Sequence, residues 1–257
     1  MRIGIIGAGN MGGALARGLA RATNHEIIVS NPSDAKLKAL REEFPQIEIT
    51  NDNNVCTSCA DIVVLAVKPW KAKEVLDEIR IGFPSRAILV SMVGGVSAEE
   101  MFSMLSLPFP IYQVIPNTAI AQLESMTFIS SFNSTSEKDA MIVELFSVLG
   151  KAMLLEERQM PAAMALSSCG IAYAFRYIRA AMEGGVELGL YAAQAQEIVQ
   201  QTLKGAVAVL EANGTHPEQE VDRVTTPGGF TIRGLNAMEA HGFTTAVIEG
   251  LKASAKK

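Results

Sequence analysis

Residues 2–15 read RIGIIGAGNMGGAL, and they indicate the architecture of the first half of the chain. A β-branched run ends at Gly7-Ala8-Gly9-Asn10-Met11-Gly12, a GxGxxG pattern, and small and apolar residues at helical spacing follow. In this pattern the first glycine permits a tight turn, and the second lets the backbone approach a pyrophosphate. The third glycine allows the helix to pack closely on the strand. Strand, turn and helix together predict a dinucleotide site at a helix N-terminus.

Strand-like and helix-like segments alternate through the first part of the chain. Three apolar runs are EIIVS (26–30), DIVVLAV (61–67) and AILVSMV (87–93), and TFISS (127–131) is a further strand candidate. Such runs alternating with helices are typical of a parallel sheet covered on both faces. We therefore expect an α/β Rossmann-like domain with a mostly parallel sheet over residues 1–156.

The composition changes near residue 157. Alanine, methionine, leucine and glutamate then dominate, and β-branched clusters almost disappear. Helix breaks are predicted at Gly189, at Gly214 and at the Pro227-Gly228-Gly229 turn. We expect residues 157–257 to form an all-α domain.

Composition restricts the function classes. Of 257 residues, 49% are hydrophobic and 19% charged, and the net charge of −5 offers no basic surface for nucleic acid. The uncharged stretch from Gln159 to Phe175 is short and interrupted for a bilayer span, so we expect a buried helix there. Three cysteines indicate a reducing compartment, and we predict a soluble cytoplasmic protein. Cys56 and Cys59 form one CxxC pair without a second, so no metal site is predicted.

The end of the second predicted strand bears on cofactor choice. An acid there would bond the ribose of NAD and repel a 2′-phosphate, but Ser30 and Asn31 stand at this position. Their hydroxyl and amide groups favour NADPH, and the nearby Asp34 leaves NADH possible. Asn31 also fits a helix N-cap, with Pro32 as the first helical residue and the helix running to about Phe44.

Five motifs occur in order: GAGNMG (7–12), LAVKPW (65–70), SMVGGVS (91–97), IPNTA (115–119) and VTTPGGFT (224–231). This set resembles the pyrroline-5-carboxylate reductase family along nearly the whole chain, and the Thr-Pro-Gly-Gly-x-Thr turn is its most specific element. The family reduces the cyclic imine 1-pyrroline-5-carboxylate to L-proline with NADPH or NADH, the last step of proline biosynthesis.

The resemblance implies site residues by position. Cofactor contacts then come from Ile6, Gly7, Ala8, Gly9, Asn10, Met11, Asn31, Asn53, Ala66, Val67, Lys68, Pro69, Val93, Gly94 and Gly95, to which the patterns above add Gly12 and Ser30. The substrate would bind at Gly228, Gly229, Phe230 and Thr231.

The chemistry of an imino acid suits the Gly228–Thr231 turn. Consecutive N–H groups at a helix start can hold a carboxylate, and the Thr231 hydroxyl would bond the ring nitrogen as the catalytic candidate. An imine that is protonated before it binds needs mainly orientation over the nicotinamide. An acid–base pair is therefore not required.

The chain departs from the family pattern at several positions. The usual Ser-Gly-x-Gly-Pro-Ala-Tyr run has Ser168 in place of glycine and Ile171 in place of proline, and the usual arginine before the Asn-Thr pair is Gln113. The proline after that pair is Ala119. These changes bear on the substrate pocket and on carboxylate binding.

Two other functions are alternatives to imine reduction. β-Hydroxyacid dehydrogenases use a lysine on the long helix that enters the second domain, and no lysine occurs between Lys151 and Lys204. A non-catalytic NADP-sensing protein is the other alternative. It would bind NADPH tightly without reducing the imine.

Subunit contact is expected from the alanine-rich helical half. The segment 159–175 is too apolar for a monomer surface, and two copies packed by symmetry would bury it. The resemblance also implies dimers through the helical domains, so we predict a homodimer or a larger assembly of dimers. Each active site would then lie between one subunit's Rossmann domain and helices of the dimer.

Overall fold

The structure is a computed structural model that describes residues 1–105 and 109–255. The chain divides into two compact units, Met1–Ser168 and Cys169–Lys257. Residues 157–168 pack with the first unit, because Met160 and Ala163 form a buried cluster with Phe128 of the sheet.

The first unit contains an eight-stranded sheet with the order β3-β2-β1-β4-β5-β6-β7-β8. All neighbouring strands are parallel except β6 and β7, so the predicted α/β class with a mostly parallel sheet is confirmed. The strands are β1 (Arg2–Ile6), β2 (Glu26–Ser30), β3 (Glu48–Thr50), β4 (Ile62–Leu65), β5 (Ile88–Ser91), β6 (Ile111–Ile115), β7 (Ser125–Phe132) and β8 (Gly150–Leu154).

Helices cover both faces of the sheet. They are α1 (Asn10–Ala22), α2 (Asp34–Glu43), α3 (Asn53–Thr57), α4 (Pro69–Ile79), α5 (Ala98–Leu105), α6 (Ser136–Ser147) and α7 (Met160–Met164). Alternate residues of each strand point to opposite faces, so Ile5 packs with α1, α2 and α6, while Ile6 packs in the core formed by α3, α4 and α5. A single π-helical turn, Ala165–Cys169, follows α7.

Two local predictions differ from the structure. Helix α2 is capped by Ser33 and begins at Asp34, so the predicted cap at Asn31 is wrong. The backbone N–H of Asn31 donates to Thr50 O, and its side-chain oxygen accepts from another loop, which leaves it unavailable as a cap. The strands β3, β6 and β8 were not among the predicted strands.

The second unit is helical, as predicted. Its helices are α8 (Gly170–Glu187), α9 (Ala192–Asn213), α10 (Pro217–Arg223), α11 (Phe230–Ala240) and α12 (Phe243–Ala255). The predicted breaks are confirmed, because Gly189 and Gly214 follow helix ends with positive φ, and the Pro227–Gly229 turn precedes α11. None of the helices in residues 1–105 and 109–255 has the length and apolar character to cross a membrane.

The predicted buried helix over 159–175 is only partly buried in the single chain. Met160, Ala163 and Ala165 are buried, whereas Leu166 is 66% exposed and Phe175 57% exposed. Within the second unit no described element buries Phe175, because Ala195 is the one buried residue of that unit among those that the structure describes. The exposed part of the segment therefore remains open to contact with another molecule.

Candidate functional site

The glycine loop packs β1, α1 and β4 into close contact. Gly7 has a φ of +108° and donates its N–H to Ser30 O at 2.8 Å, which joins the loop to the end of β2. A Cβ on Gly7 would lie 2.5 Å from Ala66 O. A Cβ on Gly12 would collide with Gly7 O and lie 2.9 Å from the Cβ of Ala66. Both positions therefore require glycine, as the GxGxxG pattern predicts.

Gly9 lies in open space at the start of α1. It is the N-cap residue of the helix, and a Cβ built on it would meet no atom within 4 Å. The first turn of α1 carries no acidic residue, so nothing on it opposes the positive end of the helix dipole. Bare backbone and unpaired helix N–H groups fit a pyrophosphate at this position.

Asn31 lies between the glycine loop and the start of α2. Its Oδ1 accepts a hydrogen bond from the N–H of Ala8 at 3.1 Å, and its Nδ2 donates to Ser33 O at 3.3 Å. Asn51 Nδ2 donates both to Asn31 O at 2.9 Å and to Asp34 Oδ1 at 2.8 Å. The acid nearest to the strand end is therefore engaged by Asn51, a residue that sequence reasoning missed.

The hydroxyl of Ser30 contacts the side chain of Asn53. Ser30 is fully buried, and its hydroxyl donates to Asn53 Oδ1 at 2.7 Å. Asn53 Nδ2 in turn donates to Glu78 Oε2 at 2.8 Å. The hydroxyl of Ser30 therefore orients Asn53 and does not face solvent, where a ribose phosphate would lie. No sequence pattern predicted that Glu78 contacts Asn53, since Glu78 lies on a separate helix, α4.

Loops from neighbouring strands meet at the carboxyl edge of the sheet. The segment Ala66–Pro69 follows β4 and borders the glycine loop, and Lys68 caps α4 with an exposed side chain. Trp70, one residue into this helix beyond Pro69, is 75% exposed. Because β1, β4 and β5 are adjacent, the segment 93–95 after β5 lies at the same edge. A ligand crevice at this edge is typical of open parallel sheets.

The loop after β5 carries two glycines, Gly94 and Gly95, between two anchored residues, Val93 and Val96. Val93 is buried, whereas Gly94 and Gly95 have no atom within 4 Å of a Cβ built on them, and Gly95 has a φ of +79°. Val93 N–H donates to Ser91 Oγ at 3.2 Å, and Gln113 Nε2 donates to Val96 O at 2.7 Å. Gln113 therefore supports this loop from the neighbouring strand β6.

The IPNTA motif after β6 belongs to a buried polar network. Asn117 Nδ2 donates to Ser167 Oγ at 3.1 Å, and Ser167 Oγ donates to Met126 O at 3.0 Å. The N–H of Asn117 donates to Ser125 Oγ at 3.1 Å. The network ties the π-helical turn to β7, a role that the sequence did not indicate.

The predicted substrate residues lie in the second unit, where they form a tight turn and a helix start. Gly229 N–H donates to Thr226 O at 2.9 Å, and Gly228 has a φ of +69°, as in a type II turn with proline at its second position. Because this N–H is already engaged, the donors at the helix start are those of Phe230 and Thr231. Phe230 is 91% exposed, and Thr231 is exposed as well.

The CxxC pair is split between two environments. Cys56 is buried, with its Sγ 3.5 Å from the carbonyl oxygens of Ile5 and Ile28, whereas Cys59 is exposed. Burial raises the pKa of the Cys56 thiol to about 11. Across the described parts of the chain, no three His, Cys, Asp or Glu side chains are grouped so that they could share a metal ion.

Family comparisons match both halves of the chain. The pyrroline-5-carboxylate reductase dimerisation family matches residues 157–257, and the family described as NADP oxidoreductase coenzyme F420-dependent matches residues 2–95. Pyrroline-5-carboxylate reductase 2 of Dictyostelium discoideum is 35% identical over 99% of this chain and 91% of the relative. Pyrroline-5-carboxylate reductase 1 of the same organism is 38% identical, and the chain spans 49% of that longer protein.

The solved structures that are similar to this chain include members of the same family as the sequence relatives. Pyrroline carboxylate reductase of Plasmodium falciparum with NADP bound has a TM-score of 0.91 at 28% identity and covers 99% of this chain and 95% of its own. The 1-pyrroline-5-carboxylate reductase of Streptococcus pyogenes has a TM-score of 0.90 at 28% identity, and the match covers 99% of this chain and 96% of that chain. The chain therefore belongs to the pyrroline-5-carboxylate reductase family.

Proposed function

We propose that this protein is an NAD(P)H-dependent oxidoreductase that acts on a C=N bond and reduces 1-pyrroline-5-carboxylate to L-proline. The observation that supports this most is the Thr226–Gly229 turn, which ends in the exposed N-terminus of α11. A helix start of this kind fits a carboxylate, and a hydroxyl follows at Thr231. No lysine stands on α7 or α8, so the proton relay of a β-hydroxyacid dehydrogenase has no candidate there.

The first unit binds the dinucleotide in this proposal. The pyrophosphate lies at Gly9 and the N-terminus of α1, and the segments 66–69 and 93–95 flank the nicotinamide half. Asn31 and Asn53 contact the adenosine ribose, and Ser30 supports Asn53 through its buried hydroxyl. NADPH is preferred over NADH, since amide groups stand at the end of β2 and the nearest carboxylate, Asp34, accepts from Asn51.

The second unit binds the imino acid. The N–H groups of Phe230 and Thr231 hold its carboxylate, and the Gly228–Gly229 backbone allows close approach. The Thr231 hydroxyl accepts a hydrogen bond from the protonated ring nitrogen and so fixes the orientation of the C=N bond. When bound, NADPH would supply the hydride for carbon 5 of the ring, and the residues named here would hold that carbon in place. The chain therefore contributes mainly orientation and charge placement.

A second copy of the chain covers the helical unit. Its helices leave an open groove of about 740 Å³, lined by apolar side chains that include Tyr173, Tyr177, Met238, Phe243 and Val247. Helices with so little buried surface need tertiary partners for stability. We infer a homodimer through this unit, and sedimentation velocity should give dimers or multiples of dimers. Val247→Glu should shift the population toward monomer, and a monodisperse wild-type monomer would contradict the inference.

The reaction is assigned to the cytoplasm. Cys56, Cys59 and Cys169 are free thiols, which fits a reducing compartment. Fractionation of cells that express the tagged chain tests this assignment. Recovery of the protein with a membrane or an organelle would contradict it.

Oxidation of NADPH by the purified protein tests the function. The absorbance of NADPH should fall when pyrroline-5-carboxylate is added and should fall more slowly when NADH replaces NADPH. With 3-hydroxyisobutyrate and NADP⁺, no reduced cofactor should form. Tight NADPH binding without imine reduction would favour a nucleotide-sensing protein instead.

A further inference from the structure

Polar residues stand side by side on three neighbouring strands of the sheet, β5, β6 and β7. Ser91 of β5 pairs with Gln113 of β6, and Gln113 pairs with Ser130 of β7. Val90 precedes Ser91 on β5, and Ile111 lies two residues before Gln113 on β6. Both are buried in the apolar cores. The half-buried amide of Gln113 therefore lies beside apolar core residues, where polar groups need hydrogen-bond partners.

The amide of Gln113 reaches a backbone carbonyl in the loop between β5 and α5. Its Nε2 donates to Val96 O at 2.7 Å, while Ser91 Oγ accepts from the N–H of Val93 at 3.2 Å. Gly94 and Gly95 lie between the two anchored residues, in open space. Glycine has more backbone freedom than any other residue, so the anchors restrict a loop that would otherwise be mobile.

We infer that Gln113 is a positioning residue for hydride transfer. It fixes the far end of the Gly94–Gly95 loop, which in the proposed function flanks the nicotinamide, and the inference rests on that function. Small misplacements at a reacting centre reduce rates strongly, by up to about 100-fold for 1 Å. Loss of this anchor should therefore slow the chemical step while leaving substrate binding at the second unit unchanged.

Three variants separate hydrogen bonding from side-chain volume. Gln113→Met keeps the length of the side chain and removes its donor, and Gln113→Glu places an acceptor against Val96 O. Gln113→Arg restores an N–H donor. Gln46→Met is the matched control, because Gln46 Nε2 also donates to a backbone carbonyl, that of Ala20 at 3.3 Å, away from this loop.

Amide hydrogen exchange of the cofactor-free protein gives the first readout. Residues 94–96 should exchange faster in Gln113→Met and Gln113→Glu than in wild type, and at wild-type rates in Gln113→Arg and Gln46→Met. Thermal unfolding is followed in parallel, and kinetics are measured at a temperature where each variant is folded. Unchanged exchange in both donor-deficient variants would overturn the inference.

Kinetics give the second readout. In Gln113→Met, kcat should fall about tenfold with KM for the imino acid within about twofold, consistent with loss of positioning alone. NADPH deuterated at the transferred position should show a larger isotope effect on kcat than in wild type, and Gln113→Arg should recover most of kcat. Equal kcat in wild type and Gln113→Met would overturn this inference alone. A wild-type protein without imine reduction would refute the proposed function and this role with it.

Discussion

Asn31 Oδ1 accepts a hydrogen bond from the backbone N–H of Ala8 at 3.1 Å, so the end of β2 is tied directly to the glycine loop. In the proposed function the loop holds the pyrophosphate, and the end of β2 lies at the 2′-phosphate of the adenosine ribose, so Asn31 stands between these two groups. The orientation of Asn31 is fixed further by its donation to Ser33 O. Asn31 is therefore the position at which the proposed cofactor preference is tested first.

Asn31→Asp should turn the preference toward NADH. The carboxylate retains an acceptor for Ala8 N–H but places a negative charge beside the 2′-phosphate, and like-charge contacts cost several kcal/mol. The Kd for NADPH should rise at least about tenfold, while the Kd for NADH changes little. Quenching of the chain's single tryptophan, Trp70, measures both constants. Asn24→Asp, at an exposed position before β2, is the control, and equal weakening of both cofactors would refute the assignment.

Gly9→Ala and Gly12→Ala should separate binding from folding. The added methyl at position 9 meets no atom within 4 Å, so the variant should unfold at the wild-type temperature but bind NADPH more weakly, because the methyl occupies the proposed phosphate position. At position 12 the methyl collides with Gly7 O, and overpacking of this kind costs at least about 1–3 kcal/mol. Calorimetry and fluorescence titration distinguish the two effects. If folded Gly9→Ala binds NADPH with the wild-type Kd, the cofactor phosphate does not lie at this position.

Thr231→Ala should reduce kcat/KM for pyrroline-5-carboxylate with little change in NADPH binding. Hydrogen bonds to charged groups contribute about 1.5–3 kcal/mol, so the expected loss is roughly 10- to 100-fold. Steady-state kinetics and cofactor titration measure the two quantities. Thr202→Ala, which removes a hydroxyl bonded to Ile198 O within α9, is the control. If Thr231→Ala keeps the wild-type kcat/KM, the hydroxyl has no part in the reaction.

The buried thiol of Cys56 should resist modification in the folded protein. Burial raises its pKa from 9.0 to about 11, so the thiolate is scarce at neutral pH. The unfolded chain ionises this thiol at the lower value, and the stability it contributes is therefore full below pH 9 and is lost as the pH rises toward 11. Titration with a thiol reagent should modify the exposed Cys59 first and Cys56 only after unfolding. If the thiol reagent modifies Cys56 rapidly in the folded Cys59→Ser variant, this prediction is wrong.

Local patterns predicted the features that depend on neighbouring residues. The glycine loop and the helix breaks at Gly189 and Gly214 were predictable because turns with positive φ favour glycine. The strands β3, β6 and β8 were not predicted, since β3 has three residues, β6 carries the polar Gln113, and β8 lies at the sheet edge with exposed side chains.

Long-range contacts account for the remaining differences. The hydroxyl of Ser30 bonds Asn53, and Glu78 completes the chain of hydrogen bonds from a third element. The link between Asn117 and Ser167 joins residues fifty positions apart. Such pairs depend on how whole helices and strands pack together. The spacing of neighbouring residues in the sequence therefore does not predict them.

Transfer of a deuterium label tests the central claim most directly. NADPH that carries deuterium at the transferred position is incubated with pyrroline-5-carboxylate and the purified protein, and the product is analysed by mass spectrometry and NMR. If the chain reduces the imine as proposed, L-proline should form with one deuterium at carbon 5. Absence of proline, or proline without the label at carbon 5, would contradict the account.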